Sequence, residues 1–577
     1  MEKFWHTTAH VFAEALLKLY PKAKIAIGPP IEMGFHYDFE IKNNINENDL
    51  KKIEAEMRKI ISKKEKLVKS EVSVKEALEL FKDNLYKIEM IKDLEKEGEK
   101  KISVYKSGSF TDMCKGPHLE STEPIKAIKL LKISAAYWKG NEKNKQLQRV
   151  YGISFKTQKE LDDFLAAKEK AEANDHNKIG RELKLFMTHE LVGQGLPLLM
   201  PRGAKLFQIL TRFIEDEEEK RGYIYTRTPY MAKSDLYKIS GHWEHYKEGM
   251  FILGDEKKDE EVLALRPMTC PYQFLIYKNE GKSYKDLPIR FGETSVLFRN
   301  ETSGEMHGLT RVRQFTLSEG HIIVTPEQLE KEFKDVIGLI DYVMNSLGIK
   351  DEITYRFSKW DPENKKGKYI DNPKAWEHSE KEMKKILDHL GLKYEEAEGE
   401  AAFYGPKLDL QAKNVYGKED TIITVQIDFA LPERFDMTYT DKDGQKKRPY
   451  IIHRSSIGCY ERTIAMLIEK YGGAFPVWLS PEQAITIPIS EKFIEYGKKI
   501  NAELISAGVR AQLDERNETL GYRIREAQKM KVPYVIVVGA KEEEDKNIAV
   551  RDREGKQTVM KVEDFIVKIN KEVEEKK

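Results

Sequence analysis

Cysteine is scarce. Three residues in 577, Cys114, Cys270 and Cys459, lie far apart in the chain. So sparse a set excludes a disulfide framework and points to a reducing compartment. An excess of one charge is missing too: 98 Lys and Arg stand against 97 Asp and Glu, a net charge of +1. That excludes a global basic field, so nucleic acid would have to bind through local patches. No apolar run approaches the roughly 18 residues that a membrane span requires. The opening MEKFWHTTAH lacks the apolar core of a signal peptide. These absences lead to the expectation of a soluble, cytosolic protein. What the chain has is length. At 577 residues it exceeds the size at which single cores stop growing, roughly 250–300 residues, so several domains are expected.

The most informative stretch runs from Arg290 to Thr325, RFGETSVLFRNETSGEMHGLTRVRQFTLSEGHIIVT. Two β-prone runs, TSVLFRN and LTRVRQFTL, flank a polar segment containing Gly304 and Gly308, the pattern of an antiparallel hairpin with a long loop. Arg299 lies on the first arm, Arg311 and Arg313 on the second. Residues two apart on a strand share a face, so Arg311 and Arg313 are expected to point the same way. Arginine forks suit phosphate and carboxylate oxygens. With Glu301 for an amino group and Phe315 for stacking, the hairpin would fit a bound nucleotide. It resembles motif 2 of the class II aminoacyl-tRNA synthetases. The resemblance implies that Arg299 holds the α-phosphate and the substrate carboxylate, Glu301 reads adenine, Arg311 takes the γ-phosphate and Phe315 stacks on the base.

In residues 1–153, Phe4 to Leu19 carries apolar residues at helical spacing until Pro21 ends it. His6 and His10, four apart, share one face of that helix. Farther on, TDMCKGPH gives Cys114-x-x-x-His118. Two His plus a Cys and a His form a plausible zinc site by spacing. HTTAH, AIGPPIEMGFHYDFE, FTDMCKGPH and AAYWKGNEKNKQLQRVYGISF together resemble the editing domain of bacterial-type threonyl-tRNA synthetases. There the equivalents of His6, His10, Cys114 and His118, joined by Asp112, surround the seryl ester of a mischarged tRNA and assist its hydrolysis without metal. The related domain of alanyl-tRNA synthetases binds zinc with similar residues, which leaves the metal question open. Family members often carry a small ubiquitin-like module before this domain. Here the sequence starts at HTTAH, and the module's contribution is expected to be dispensable or supplied elsewhere.

Residues 154–190 are expected to be a charged linker helix, opened by a Thr157-x-x-Glu160 capping box. Residues 191–478 mix strand-like runs (EVLALRP, TIITVQIDF, RPYIIHRS) with helices such as EQLEKEFKDVIGLIDYVMNSLG, which fits an α+β domain on a mainly antiparallel sheet. The resemblance continues here. Pro229 sits where the motif 1 proline lies at a dimer interface. IGCYERTIAMLIEKYGG matches motif 3, with Arg462 facing the γ-phosphate and adenine. Cys270, His321 and His453 match the three zinc ligands of threonyl-tRNA synthetases. Three protein ligands leave an open position on the metal.

Such a metal would be chelated by threonine through its amino group and hydroxyl, while valine is rejected for lacking the hydroxyl. Serine lacks one methyl, worth only about 1–3 kcal/mol, so a second, hydrolytic site is expected. The two halves of the chain imply each other. Met268, Tyr404, Lys407 and Gln426 are carried over as lining the threonine and ATP pocket, with Mg²⁺ bridging phosphates. The family usually reads FTQDDAH where this chain has FTLSEGH, so Leu317 replaces a glutamine, and Glu319 an aspartate that contacts the threonyl hydroxyl. TCPYQ stands for NCPGH, and Ile422 for a small Cys. Threonine is still the expected substrate, with altered tightness.

Residues 479–577 alternate strands (ITIPIS, VRAQLD, VPYVIVVG, NIAVRD) with helices, so an α/β sandwich on a largely parallel sheet is expected. They resemble the class IIa anticodon-binding domain, with Asn517, Glu542 and Arg551 at base-reading positions; side chains of this kind suit the edges of unstacked bases. The resemblance implies a homodimeric enzyme that joins threonine to tRNA and carries a serine-editing site. A non-catalytic RNA-binding or regulatory relative would be marked by loss of Arg299, Arg462 or a metal ligand, and all are present. A stand-alone editing hydrolase would not need the intact ATP motifs. Adenylate formation separates the first from the other two, and deacylation of seryl-tRNA tests the editing site.

Overall fold

The computed structural model describes every residue except 32, 142, 365, 366 and 416. The chain divides into two compact units, Met1–Glu169 and Lys170–Lys577.

In the first unit the helix Glu2–Leu19 packs on a four-stranded antiparallel sheet ordered Lys24–Ile25, Phe35–Glu40, Gln146–Phe155, Ala127–Tyr137. Phe12 meets Phe35, Tyr37 and Phe39 with ring centroids 5.7–6.3 Å apart. Full burial of a ring like Phe12 is worth about 1.5–3 kcal/mol. A separate three-stranded sheet, Leu67–Ser73, Lys101–Ser107 and Phe110–Met113, presents the residues around Cys114. Thr157 and Glu160 form the expected capping box, the Thr157 N–H donating to Glu160 Oε2 at 2.9 Å and the Glu160 N–H to Thr157 Oγ1 at 3.2 Å. The helix they open runs Gln158–Ala173.

The second unit is built on eight strands: β1 Ile224–Tyr225, β2 Ile289–Phe298, β3 Gln314–Val324, β4 Ile353–Lys359, β5 Tyr394–Glu398, β6 Lys407–Lys413, β7 Glu419–Asp428 and β8 Tyr450–Cys459. Their order is β1-β2-β3-β8-β7-β6-β4-β5, and only the outermost pairings, β1–β2 and β4–β5, are parallel. EVLALRP is not part of this sheet. Its strand Leu263–Leu265 joins a small antiparallel sheet with Met231–Lys233 and Ile252–Leu253.

Register then positions chemistry. His321 pairs with His453, His453 with Gln426, and Gln426 with Lys407, so one row crosses β3, β8, β7 and β6 on a single face. Alternation sends Ile322 and Val324 to the opposite face. There they join Phe333, Ile337 and Ile340 of helix Leu329–Ser346 and Ile464 and Ile468 of helix Tyr460–Tyr471 in the main core.

Beneath that row lies a buried ion pair. Arg454 Nη1 and Ser456 Oγ both donate to Glu218 Oε1 at 2.5 Å, while the guanidinium carbon sits 4.0 Å from the Tyr223 ring centroid. Gly320 makes this possible, because a Cβ there would lie 2.4 Å from the Arg454 guanidinium carbon. Removing one partner strands the other charge in a dry site. Glu218→Ala is therefore expected to cost about 3–5 kcal/mol, read as a large fall in Tm; a Tm within a degree of the parent would contradict it.

The C-terminal sheet is ordered Ala511–Leu513, Ala484–Pro488, Tyr534–Val538, Ile548–Arg551, Gln557–Met560. The expectation of a largely parallel sheet needs correction: two pairings are parallel and two antiparallel. Parallel neighbours need long crossovers, here the helices Ile494–Ser506 and Leu520–Lys529. The last strands are reached by short connections, one turning at Gly555 with φ +85°, and so return antiparallel.

Candidate active site

A cleft of about 890 Å³ opens over the His321–His453 row. Cys270 enters it from the first residue of helix Cys270–Lys278, which follows Met268 and Thr269. Cys270, His321 and His453 are all buried, and their donor atoms lie within 4.8 Å of one another. The outer contacts decide which ring nitrogens face inward. His321 Nδ1 is 2.5 Å from Gln273 Oε1, so it carries the proton, and its buried Nε2 has no hydrogen-bond partner. His453 Nε2 donates to Asp428 Oδ2 at 2.8 Å, and Asp428 Oδ1 accepts the N–H groups of Ala430 and Leu431. His453 therefore offers Nδ1.

Burial, then the neighbouring His453, holds His321 well below the usual histidine range. Burial and the nearby Glu319 and Asp428 carboxylates push the Cys270 thiol well up. A soft thiol and two imidazoles, one with an orphaned inward nitrogen, form the donor set of a tetrahedral zinc with an open position. Glu319 lines the same space; burial raises its carboxyl, which accepts the Thr269 N–H at 3.2 Å.

Most of the residues carried over by resemblance line this one cleft: Met268, Cys270, Arg299, Glu301, Arg311, Phe315, Glu319, His321, Tyr404, Gln426, His453 and Arg462. Arg299 stacks 5.0 Å from the Phe315 ring centroid, and its buried Nε has no partner. Arg462 donates to the carbonyls of Thr421 at 2.6 Å and Thr310 at 3.1 Å. Tyr404 Oη donates to Gln426 Oε1 at 2.5 Å. Lys407 is not in the cleft wall; it sits beside Gln426 in register and is ion-paired with Asp409. Leu317 and Ile422, both departures from the family pattern, also line the cleft.

One expectation about the hairpin fails. Arg311 and Arg313 do not share a strand face, because β3 begins only at Gln314. Both lie in the loop and converge on Glu301. Arg311 Nη2 pairs with its carboxylate at 2.7 Å, and Arg313 Nε donates to its carbonyl at 3.2 Å.

In the first unit His6, His10, Cys114 and His118 converge, with donor atoms within 4.8 Å. Cys114 Sγ lies 3.2 Å from both His6 Nε2 and His118 Nε2. Asp112 is held just behind, its carboxylate paired with Lys87 Nζ at 2.6 Å and accepting Tyr37 Oη at 2.8 Å. Burial, with His10 and His6 adding repulsion, lowers His118 to about 2, and burial lowers His6 and His10 too. His242, in the larger cleft, falls to about 3 for the same first reason.

All four imidazoles are thus neutral near pH 7. Below their unfolded value of about 6.5 the unfolded chain binds more protons than the folded one, so stability rises with pH through that window. Tm is expected to fall steadily as pH drops from 6.5 to 5; a flat or rising Tm over that range would contradict it.

Several contributors escaped the sequence reading. Lys87 and Tyr37 were not singled out, although Lys87 shares a helical stripe with Ile91 and Leu94, a position where an ordinary solvated lysine is out of place. His242, its Nδ1 2.8 Å from Ser240 Oγ, and Gln273 were passed over as well. His176 is buried with both nitrogens engaged, by Glu469 Oε1 at 2.7 Å and the Leu309 N–H at 3.2 Å, and ties the hairpin loop to helix Tyr460–Tyr471. Asn517, Glu542 and Arg551 stand on separate elements, and no hydrogen bond joins them among the described residues. Glu542 Oε2 accepts the Gly539 N–H at 3.0 Å, and the buried Nε of Arg551 has no partner.

A mostly antiparallel sheet carrying an arginine-lined hairpin and a final strand-to-helix arginine defines a class II aminoacyl-tRNA synthetase core. Residues 251–471 match the family described as tRNA synthetase class II core domain (G, H, P, S and T). Residues 483–572 match an anticodon binding domain, and 102–151 the threonyl and alanyl tRNA synthetase second additional domain. A threonine–tRNA ligase of Clostridium perfringens is 59% identical over 571 residues, 99% of this chain and 88% of the relative. One from Clostridium botulinum is 62% identical over 549 residues, 95% of this chain and 85% of the relative. Among solved structures, the RNA binding domain of threonyl-tRNA synthetase from Cryptosporidium parvum is 35% identical with a TM-score of 0.64, over 69% of this chain and 98% of that one. The chain belongs to the threonine–tRNA ligase family.

Proposed function

We propose that this chain activates threonine with ATP, transfers it to the 3′ end of threonine tRNA, and hydrolyses seryl-tRNA at a second site. The observation that carries the reading is the convergence of Cys270, His321 and His453 in the wall of the cleft that also holds Arg299, Phe315 and Arg462.

Zinc is the metal that suits the donor set. Bound there, it would hold an amino acid through both an amino group and a side-chain hydroxyl. The chain's own residues do the rest. Arg299 and Arg462, with Mg²⁺ on the phosphates, offset the charge that develops as the threonine carboxylate attacks the α-phosphate and pyrophosphate leaves. Phe315 and Glu301 receive the adenine, Arg311 the γ-phosphate. Met268, Glu319, Tyr404 and Gln426 shape the threonine and ATP pocket, with Lys407 standing outside its wall beside Gln426, and the longer Glu319 alters its tightness.

In the editing domain, residues 1–153, the neutral His6, His10 and His118 beside Cys114 supply proton acceptors for water attacking the seryl ester, with Asp112 held by Lys87 and Tyr37. Within residues 154–190 the linker helix is confined to Gln158–Ala173, and Ile179, Leu183, Leu185 and Phe186 join the main core; 191–478 are the catalytic domain and 479–577 the anticodon-binding domain, where Asn517, Glu542 and Arg551 read bases. A homodimer is supported by exposed apolar residues around Pro229: Ile224, Tyr225, Tyr230 and Met231. A cytoplasmic location is supported by three free cysteines, and no helix among the described residues is long and apolar enough to cross a membrane.

The test is ATP–pyrophosphate exchange with three amino acids. Threonine should support exchange, serine should follow within roughly 10–200-fold, and valine should fall about 10⁴-fold or more below threonine. Absence of a threonine-dependent signal would refute the reading.

A further inference from the structure

Behind His321 a chain of buried hydrogen bonds runs away from the cleft, and its direction is set at the far end. Gln273 Nε2 donates to Thr226 Oγ1 at 2.7 Å, and Thr226 Oγ1 donates to Glu293 Oε2 at 2.9 Å. Glu293 is buried and ion-paired with the fully buried Arg266, Nη1 to Oε1, at 2.9 Å. It also accepts the Thr228 N–H at 3.3 Å and the Thr228 hydroxyl at 3.1 Å. With four donors aimed at it, Glu293 is an acceptor at both oxygens.

The Thr226 hydroxyl therefore spends its one proton on Glu293; its other neighbour within reach, the Gly292 carbonyl at 3.5 Å, is also acceptor-only. Toward Gln273 it can only accept. That orients the amide with its N–H toward Thr226 and its carbonyl toward His321. A carbonyl facing His321 Nδ1 requires a proton there, which leaves the lone pair on Nε2, an atom without a hydrogen-bond partner and 3.8 Å from Glu319 Oε1, in the cluster with Cys270 and His453.

We propose that Arg266, Glu293, Thr226 and Gln273 form a positioning relay that fixes the tautomer and aim of His321, so that a threonine side chain in β1's flanking segment sets metal affinity in the cleft. Gln273 stands where the pattern NCPGH ends in histidine, and here an amide makes the link. The inference rests on the zinc reading of the cleft.

Zinc affinity is measured by chelator competition on the full chain and on Gln273→Leu, Thr226→Val and Thr226→Ser. Nitrogen-15 histidine spectra of the zinc-free proteins report the His321 tautomer directly. Gln273→Leu and Thr226→Val should bind zinc about 10–100-fold more weakly, and both should lose the single Nδ1-protonated His321 signal. Thr226→Ser, which keeps the hydroxyl, should match the parent in both measurements, with zinc-free Tm values of the two Thr226 variants alike. Equal zinc affinity in Thr226→Val and the parent, or equal loss in Thr226→Ser, overturns the relay. If the parent binds no zinc the metal reading fails, and the relay is then judged on the tautomer: an Nε2-protonated or mixed His321 in the parent, or a tautomer unchanged in Thr226→Val, overturns it.

Discussion

Cys270→Ala should lower kcat/KM for threonine in ATP–pyrophosphate exchange by about 10⁴-fold, the scale on which a site that reads a hydroxyl rejects a substrate lacking one. Three donors fit a metal with one position to spare; two do not hold it against solvent. The loss should be selective. Threonine and valine, which differ by a hydroxyl and not by shape, should become similarly poor substrates, because the pocket that remains separates them only by packing. The apo protein should stay folded, since Cys270 is one thiol at the edge of a satellite cluster that also holds Phe274, Phe291 and Leu431. Retained threonine-over-valine selectivity in the alanine variant would place discrimination elsewhere in the cleft.

His10→Ala should cripple hydrolysis of seryl-tRNA by about 10²–10⁴-fold, the usual contribution of a positioned acid–base group. His10 is buried, its ring centroid 4.3 Å from that of His118, so it has no solvent substitute. Threonine activation should be unchanged, because no part of the second unit's cleft is altered. Serine should then accumulate on tRNA at the level one missing methyl allows, roughly one part in 10 to 200 relative to threonine at equal concentration. Lys87→Met is expected to act in the same direction by freeing Asp112, but with a Tm loss that His10→Ala does not share, since it leaves a buried carboxylate without its ammonium partner. Deacylation by His10→Ala at the parent's rate would remove this cluster from the chemistry.

Much of this was legible in the chain. The hairpin and the final arginine helix stand in contiguous motifs, so local pattern suffices to find them. Alternation along LSEGHII and YIIHRSS puts His321 and His453 on definite strand faces, but their pairing is a matter of register, which the sequence pattern alone does not specify. Cys270 comes from a helix start that no periodicity ties to either strand.

The misreadings have physical reasons. LTRVRQ reads as strand by its β-branched residues, yet pairing in β3 starts only at Gln314, because Arg311 and Arg313 are drawn to Glu301 in the loop. The C-terminal sheet looked parallel because its helices were visible and its closing hairpin was not. Lys87, Tyr37 and Gln273 escaped because a polar side chain's partner lies 25 to 75 residues away and nothing local marks it.

The central claim is that a metal on Cys270, His321 and His453 selects the amino acid. The most direct test measures zinc per subunit alongside threonine-dependent exchange before chelation, after it, and after zinc is restored. The account predicts one zinc per subunit, exchange lost with the metal and regained with it. Full threonine-dependent exchange in zinc-free protein would contradict it.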